Sequence, residues 1–248
     1  MRVIDLFSGI GGFSLAAHWM GWKTIAFVER DLFCKMVLQK NFGSDIPIYD
    51  DVKTFPGKKY RGECDIITGG FPCQDISTAN RFGEGIKGLR SGLWREYARI
   101  IREVRPSFVV FENSPMLVRR GFERVLCDLS RLGYDAEWRS FYASQYGFRH
   151  YRKRIYGLAY THGVRRQGCI DKESVLSKIL PGRPPGQASF PVPSERVDGS
   201  SNFRALQPDD GFSTKLDKNS IRAFGNAIVP QIALEIFRAI DETWPVAR

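Results

Sequence analysis

Apolar and polar positions follow two different periods along the first 160 residues of the chain. Short runs rich in β-branched and aromatic residues predict strands, and apolar residues at helical spacing predict helices between them. The predicted strands are residues 2–7, 24–29, 64–68, 108–111, about 136–142 and about 154–159. This alternation of strands and helices is typical of the α/β class.

Five segments carry the helical period. The first predicted helix covers residues 13–20, and the second has one apolar face made by Leu32, Phe33, Met36 and Val37. The inner faces of the next two are Leu93, Tyr97, Ile100, Ile101 and Val104, and then Val125, Leu126, Leu129 and Leu132. The last helix begins near Pro230, a residue suited to a first helical turn, and its apolar residues are Ile232, Leu234, Ile236, Phe237 and Ile240.

Residues 161–217 differ in composition from the rest of the chain. Six prolines and many glycines and serines fall here without strong periodicity, which predicts an irregular insertion or a small recognition region. We therefore expect residues 1–160 and 218–248 to form one domain, with 161–217 as the small region. Residues 149–196 include ten basic and three acidic side chains. This excess of positive charge favours a segment that contacts the phosphates of a nucleic acid, and a solvated loop is the alternative.

Composition restricts the setting and the partners. The 248 residues include 37 basic and 27 acidic side chains, and the net charge of +10 suggests a polyanionic partner, although many basic proteins have none. Five scattered cysteines without a C-x-x-C pair predict neither a disulfide framework nor a zinc site. The first seven residues predict a buried strand rather than a signal peptide, and no run is apolar enough to span a membrane, so we expect a cytoplasmic protein.

A glycine turn follows the first predicted strand. Gly9, Gly11 and Gly12 would let the backbone approach a ligand, and Glu29 stands 18 residues past Gly11, where an acid can hold ribose hydroxyls. The third glycine of the dinucleotide fingerprint is missing, because Gly12 is followed by Phe13. The pattern favours a nucleoside without a pyrophosphate, and a plain tight turn is the alternative.

Two further strand ends carry candidate chemistry. Cys73 lies on a proline-fixed loop after the third predicted strand, where a nucleophile would stand, whereas the role of a small buried residue suits Cys34, Cys64 and Cys127 better. Glu112 and Asn113 end another strand. The acid could protonate a heterocycle, and the alternative is that this pair caps the helix that follows.

Five segments in this order and spacing resemble the DNA (cytosine-5) methyltransferase family of bacteria and phages, with a short target-recognition region. They are Asp5–Gly12, Gly70–Gln74, Glu112–Asn113, His150–Arg154 and Gly225–Pro230. The resemblance covers about residues 1–160 and 219–248. It implies a doubly wound, Rossmann-like α/β methyltransferase fold in which residues 219–248 fold back beside the glycine turn.

The resemblance also implies that the cofactor is S-adenosylmethionine. Glu29 would hold the ribose and Asp51 the adenine amino group. The full set of cofactor-binding residues would be Phe7, Gly9, Gly11, Gly12, Glu29, Asp51, Leu93 and Asn226. Arg30 occupies a place where the family often has an aromatic residue against adenine, so altered cofactor binding is expected. No metal is expected.

The same resemblance assigns the catalytic roles. Cys73 would attack carbon 6 of a cytosine flipped from duplex DNA, and Glu112 would bind ring nitrogen 3. Arg152 and Arg154 would support Glu112 and grip the flipped nucleotide. The residues expected to contact DNA are Gln74, Ser77, Arg149, Arg165 and Arg166. His150 and Arg149 replace the usual glutamine and proline, which changes the arginine loop.

Double-stranded DNA is therefore the expected partner, with a cognate restriction endonuclease acting independently and the enzyme itself a monomer. Two rivals stay open at this point. One is an enzyme that methylates cytosine in structured RNA, which the same motifs permit. The other is a catalytically idle DNA-binding module, against which the intact Cys73, Glu112, Arg152 and Arg154 argue. A Rossmann dehydrogenase is more distant, because it leaves Pro72-Cys73-Gln74 unexplained.

Overall fold

The computed structural model of the chain describes residues 1–72, 92–146, 151–161, 174–179, 223 and 226–244. The strands in this part are β1 (Arg2–Leu6), β2 (Lys23–Val28), β3 (Ile48–Tyr49), β4 (Ile66–Gly70), β5 (Phe108–Asn113), β6 (Tyr134–Tyr142) and β7 (Lys153–Thr161). The α-helices are α1 (Gly12–Trp19), α2 (Leu32–Phe42), α3 (Gly92–Val104), α4 (Phe122–Arg131) and α5 (Pro230–Thr243). Outside the described residues lie Cys73, Gln74, Ser77, Arg149, His150, Arg165 and Arg166.

The described strands form one sheet in the order β3-β2-β1-β4-β5-β7-β6. Neighbours from β3 to β5 are parallel, and β7 runs antiparallel to both β5 and β6. The strands that follow β1 in the sequence, β2 and β3, lie on one side of it, and the strands that follow β4 lie on the opposite side. Strand order therefore reverses between the neighbours β1 and β4. Such a reversal opens a crevice at the carboxyl ends of the strands, where ligands of open α/β sheets bind.

Helices cover both faces of the sheet. On one face, α3 and α4 pack through Tyr97, Ile101 and Val125 against the central strands. On the other face, α1 and α5 pack together, and the rings of Phe13 and Phe237 lie 6.3 Å apart. The predicted doubly wound α/β fold is confirmed. No helix in the described ranges is both long and apolar enough to cross a membrane.

Helix α3 follows the predicted period. Its buried residues recur three or four positions apart, and charged residues occupy most of the positions between them, so one stripe faces the sheet. Helix α5 has Pro230 in its first turn, where the missing N–H has no intrahelical partner to lose, and the buried face is the predicted one. The described part of the last segment lies beside the glycine turn, since a Cβ on Gly12 would come within 2.8 Å of Ile228.

The orientation of α2 differs from the predicted one. Leu32 and Met36 of the predicted apolar face are 72% and 60% exposed, whereas Cys34 and Leu38 are buried. The glycine turn explains this orientation. Gly11 has φ +88°, and a Cβ there would lie 2.8 Å from Leu38 and 2.6 Å from Phe42, so the face that carries these two side chains covers the turn.

Hydrogen bonding extends the central strands beyond their apolar runs. β4 continues through Gly70 and β5 through Asn113, and Gly70 pairs with Glu112 in the parallel ladder. The two-residue strand β3 was not predicted, because two residues are too few to show a period. These extensions place Glu112 and Asn113 at the end of a buried strand rather than in a loop.

A short segment inside the predicted 161–217 region packs against the sheet. Val175, Leu176 and Ile179 belong to the core on the α1 and α5 face. Glu137 on β6 accepts hydrogen bonds from the backbone N–H groups of Val175 and Leu176, and Arg139 donates to the carbonyls of Leu176 and Ile179 at 2.7 Å each. The sheet therefore holds this segment at both ends, while the division into domains stays a prediction.

The packing of α2 can be tested with two substitutions on the same helix. Leu38→Ala should cost about 2–5 kcal/mol of unfolding free energy, because it leaves a cavity beside the glycine turn. Met36→Ala should change stability by less than about 0.5 kcal/mol, because Met36 is exposed. Urea denaturation of both variants measures the difference. A larger loss at Met36 would mean that the predicted face is the buried one.

Candidate active site

A cavity of about 690 Å³ opens at the carboxyl ends of β1, β2, β4 and β5. This is the crevice where strand order reverses. Each of these strand ends contributes to its wall: Phe7 and Gly9 after β1, Glu29 after β2, Gly70 to Pro72 at β4, and Glu112 and Asn113 at β5. Asp51, Leu93 and Asn226 complete it together with Arg152 and Arg154. The cavity therefore brings the two groups of predicted site residues into one space.

The turn after β1 has an unusual backbone. Phe7 has φ +54°, a conformation that costs a non-glycine residue free energy, and it lines the cavity. Its ring stacks on Tyr97 of α3 with the centroids 6.3 Å apart. The Gly11 N–H donates to the carbonyl of Ser8 at 2.9 Å, closing the turn. Packing from α3 and the closed turn together hold Phe7 in this conformation.

Glu29 links the glycine turn to the end of β2. One carboxylate oxygen accepts from the Gly9 N–H and the other from the Asp31 N–H, both at 2.7 Å. Asp51 lies on the same wall and caps a short 3₁₀ helix, Val52–Thr54, by accepting from the Lys53 N–H at 2.9 Å. Each carboxylate has lone pairs left for donors such as hydroxyl or amino groups. This end of the cavity is suited to a nucleoside.

Glu112 lies at the opposite end of the cavity. Glu112 is 8% exposed, and its carboxylate pairs with the Arg154 guanidinium, with Oε1 2.9 Å from Nε. Burial raises the pKa of Glu112 to about 7, although Arg154 and Arg152 both act to lower it. The carboxyl can therefore be protonated near neutral pH, as a general acid must be.

Arg152 connects this end of the cavity to the segment before α5. Its Nη2 donates to the carbonyl of Ala227 at 3.2 Å. Burial and the neighbouring Arg154 lower the pKa of the Arg152 guanidinium, and Glu112 acts in the opposite direction. The two arginines and Glu112 thus form one cluster of interacting charges.

Asn113 holds the backbone that leads towards Cys73. Its Nδ2 donates to the carbonyl of Phe71 at 2.9 Å, and its Oδ1 accepts from the Ser114 N–H at 2.8 Å. The cap of the 3₁₀ helix Pro115–Arg119 is Ser114, whose hydroxyl accepts from the Met116 N–H at 3.3 Å. Asn113 therefore fixes the end of β5 to the Phe71–Pro72 backbone, and the helix-cap alternative for the Glu112–Asn113 pair is wrong.

Asp5 is a buried acid whose contacts the sequence analysis missed. Its carboxylate accepts from the Thr68 hydroxyl at 2.8 Å and from the Ser14 hydroxyl at 2.9 Å, which joins β1, β4 and α1 beneath the glycine turn. Burial raises its pKa to about 7, against the effect of these two hydrogen bonds. The signal available in the sequence was an acid inside an otherwise apolar strand.

The cavity wall includes most of the described residues that were predicted to bind or react. Gly11 and Gly12 are exceptions: they shape the turn from behind, against α2 and Ile228. Arg30 is also on the wall, beside Glu29. In the ranges that the structure describes, no group of three or more His, Cys, Asp and Glu side chains is arranged to hold a metal ion.

Comparison with known proteins adds a family to this geometry. A family model for C-5 cytosine-specific DNA methylases matches residues 1–197. The chain is 37% identical to the Type II methyltransferase M2.BsuMI of Bacillus subtilis (strain 168), over 64% of this chain and 42% of that protein. It is 30% identical to the Type II methyltransferase M.Sau3AI of Staphylococcus aureus, over 73% of this chain and 48% of that protein. The matched part thus spans less than half the length of either relative.

A solved structure resembles the chain over nearly its whole length. The Entamoeba histolytica methyltransferase EhMeth superposes with a TM-score of 0.65 over 98% of both chains, at 15% identity. At this identity the likeness shows the fold. The predicted methyltransferase type of α/β fold is therefore confirmed.

The raised pKa of Asp5 predicts how a substitution changes stability with pH. An acid whose pKa is about 7 in the fold, against an ordinary 3.8, favours folding when protonated, and that contribution is lost as pH rises through 7. Asp5→Asn mimics the protonated form. Its stability relative to the unsubstituted protein should therefore increase between pH 5 and pH 8, by at most about 1.4 kcal/mol per pH unit.

Urea denaturation at pH 5 and pH 8 measures this change. Asp45→Asn is the matched control, because Asp45 is exposed and its substitution should have the same effect at both pH values. An equal effect of Asp5→Asn at the two pH values would contradict the raised pKa.

Proposed function

Because the chain belongs to the C-5 cytosine-specific DNA methylase family, we propose that it transfers a methyl group from S-adenosylmethionine to carbon 5 of a cytosine in a specific duplex DNA sequence. The observation that carries the proposal is the single cavity that joins Glu29 and Asp51 at one end to Glu112 and Arg154 at the other. A methyl transfer requires donor and acceptor to lie in one such space.

The residues of the nucleoside end fit S-adenosylmethionine. Two carboxylates, Glu29 and Asp51, offer acceptors where ribose hydroxyls and an adenine amino group would supply donors. Phe7 and Gly9 would surround the methionine part, with Leu93 and Asn226 as further contacts. The volume of about 690 Å³ is in the range of small-molecule sites.

When bound, S-adenosylmethionine supplies a methyl group on a positively charged sulfur, and carbon 5 of the target base is the acceptor. The chain must make that carbon nucleophilic. A base in a duplex is closed off by stacking, so the target cytosine has to be flipped into the cavity. Glu112 would then receive it by hydrogen bonds to ring nitrogen 3 and the exocyclic amino group.

Cys73 is the proposed nucleophile. Its thiolate would form a bond to carbon 6, and the electron pair displaced from the carbon 5–carbon 6 bond would be accommodated as Glu112 gives its proton to nitrogen 3. Carbon 5 then has enamine character. After methylation, loss of the carbon 5 proton to a base restores the double bond, expels the thiolate and returns the nitrogen 3 proton to Glu112.

Two sets of contacts support this chemistry. Arg154 holds the Glu112 carboxylate by their ion pair, so the acid keeps one orientation while its proton moves. Asn113 fixes the carbonyl of Phe71, two residues before Cys73, relative to the same strand end. Glu112 and Cys73 would thus both be positioned relative to one rigid element, β5.

The residues expected to contact DNA stay predictions from the sequence. Gln74, Ser77, Arg149, Arg165 and Arg166 all lie outside the described residues, as does most of the proposed recognition region 161–217. The division into a catalytic part (1–160 and 218–248) and that region, the independent restriction endonuclease, the monomeric state and the cytoplasmic setting are likewise predictions.

Methyl transfer can be tested by incubating the purified protein with S-adenosylmethionine and unmethylated genomic DNA, followed by bisulfite sequencing. We expect protected cytosines confined to one short sequence motif. Transfer RNA serves as the competing substrate. If the RNA were methylated and the DNA were not, RNA rather than DNA would be the substrate. If neither were methylated, the proposed activity would be contradicted.

The nucleophile can be tested with a matched pair of cysteine variants. Cys73→Ser should abolish methyl transfer while binding of S-adenosylhomocysteine persists, because a serine hydroxyl is a far weaker nucleophile at neutral pH. Cys127→Ser is the control. Unlike Cys34 and Cys64, Cys127 is not the buried residue that was predicted, because it is exposed on α4, and it lies away from the cavity wall. Substantial turnover by Cys73→Ser would rule out Cys73.

The role of Glu112 predicts a pH dependence. With a pKa of about 7, the protonated fraction falls above neutral pH, so kcat/KM should decrease there. Glu112→Gln cannot deliver a proton and should lose about 100-fold to 10,000-fold in rate, together with this decreasing limb. A pH–rate profile of both proteins measures the effect. A near-normal rate in the variant would remove Glu112 from the proposed role.

A further inference from the structure

Arg99 on α3 uses every hydrogen-bond donor of its guanidinium, a group that has five N–H bonds. Its Nε donates to Glu96 at 2.6 Å, and one Nη1 bond goes to Glu103 at 2.9 Å. The remaining three bonds go to backbone carbonyls of the segment after Asp51, namely Val52 at 2.8 Å, Phe55 at 3.3 Å and Lys53 at 3.4 Å. One side chain thus spans from a helix to a neighbouring turn.

The turn that Arg99 holds also determines the position of Asp51. The Asp51 side chain accepts from the Lys53 N–H at 2.9 Å, and its backbone carbonyl accepts from the Thr54 N–H at 3.1 Å. Both contacts depend on the 3₁₀ conformation of Val52–Thr54. A change in that turn would therefore move the Asp51 carboxylate on the cavity wall.

Helix α3 provides a firm base for this contact. Glu96 and Glu103 lie three positions before and four positions after Arg99, and both have side chains only 18% exposed. Close packing continues along the same helix, because a Cβ on Gly57 would lie 2.6 Å from the Glu103 carboxylate. Arg61 adds hydrogen bonds to the carbonyls of Arg102 and Glu103. The segment from residue 51 to 61 therefore rests on α3 at several points.

We propose that Arg99 is a positioning residue for Asp51 and thereby sets the affinity of the cavity for the adenine end of the cofactor. Arg99 itself is not on the cavity wall, so its effect passes through the turn that it holds. The inference rests on the proposed function, because Asp51 is the residue proposed to accept from the adenine amino group.

Arginine is the residue type that this position requires. The five donors lie in a planar fork, and they reach two carboxylates and three carbonyls at once. A lysine keeps the positive charge but has three donors on one atom. Arg99→Lys should therefore retain the ion pairs of the helix and release part of the turn.

The first measurement is made without any ligand. Hydrogen exchange of the backbone amides of residues 51–55 should become at least several-fold faster in Arg99→Lys than in the unsubstituted protein. The matched control is Arg102→Ala, an exposed arginine on the same helix, which should leave this exchange unchanged. Unchanged exchange in Arg99→Lys would overturn the proposal whatever the cofactor is.

The second measurement is a double-mutant cycle on S-adenosylhomocysteine binding. Arg99→Lys should weaken binding about 10-fold, which corresponds to about 1.4 kcal/mol. In an Asp51→Ala background the same substitution should have little further effect, because the group that Arg99 positions is gone. The kcat at saturating cofactor should stay unchanged while the KM for cofactor rises, a split that general destabilisation would not produce. Additive losses in the cycle would overturn the proposal.

A milder substitution separates the effect on binding from a general loss of folding. Glu103→Gln keeps Arg99 and weakens one of its anchors, so it should give a smaller loss of binding in the same direction. A gain or no change would count against the proposal. Absence of S-adenosylhomocysteine binding by the unsubstituted protein would contradict the proposed cofactor as well, whereas normal binding with an additive cycle would contradict only the role of Arg99.

Discussion

Strand order reverses between β1 and β4, and the helices that follow these two strands, α1 and α3, pack on opposite faces of the sheet. This divergence opens a crevice at their carboxyl ends, where ligands of open α/β sheets bind. The glycine turn after β1, Glu29 after β2 and Glu112 at the end of β5 therefore face a common space. A donor nucleoside and an acceptor base can meet there because the sheet topology, rather than a separate loop, sets the distance between the two ends of the cavity.

Burial gives two acids in this framework similar pKa values through different surroundings. The Asp5 carboxylate accepts hydrogen bonds from the hydroxyls of Ser14 and Thr68. These bonds lower its pKa, but burial raises the pKa by more. Glu112 faces two arginines, and burial still raises its pKa to about 7. The same desolvation that makes Glu112 available as a proton donor also makes the folded state less stable as pH rises. The proposed catalytic acid therefore has a cost in stability, and the Arg154 ion pair offsets part of it.

Local patterns in the sequence predicted the α/β class, most of the elements and the strand ends that line the cavity. Features that depend on distant contacts were not accessible in this way. The rotation of α2 depends on where the glycine turn lies, because apolar residues occupy more than one side of that helix. The bond from Asn113 to Phe71 joins residues 42 positions apart, and Arg99 reaches carbonyls 44 to 47 positions away. Periodicity carries no information about such pairs.

The central claim is that one cavity holds the cofactor and the target base in fixed relation. A crystal structure of the protein with S-adenosylhomocysteine tests it most directly. The account predicts adenosine beside Glu29 and Asp51, with the sulfur directed along the cavity towards Glu112. Density for the ligand outside this cavity, or with its adenine at the Glu112 end, would contradict the account.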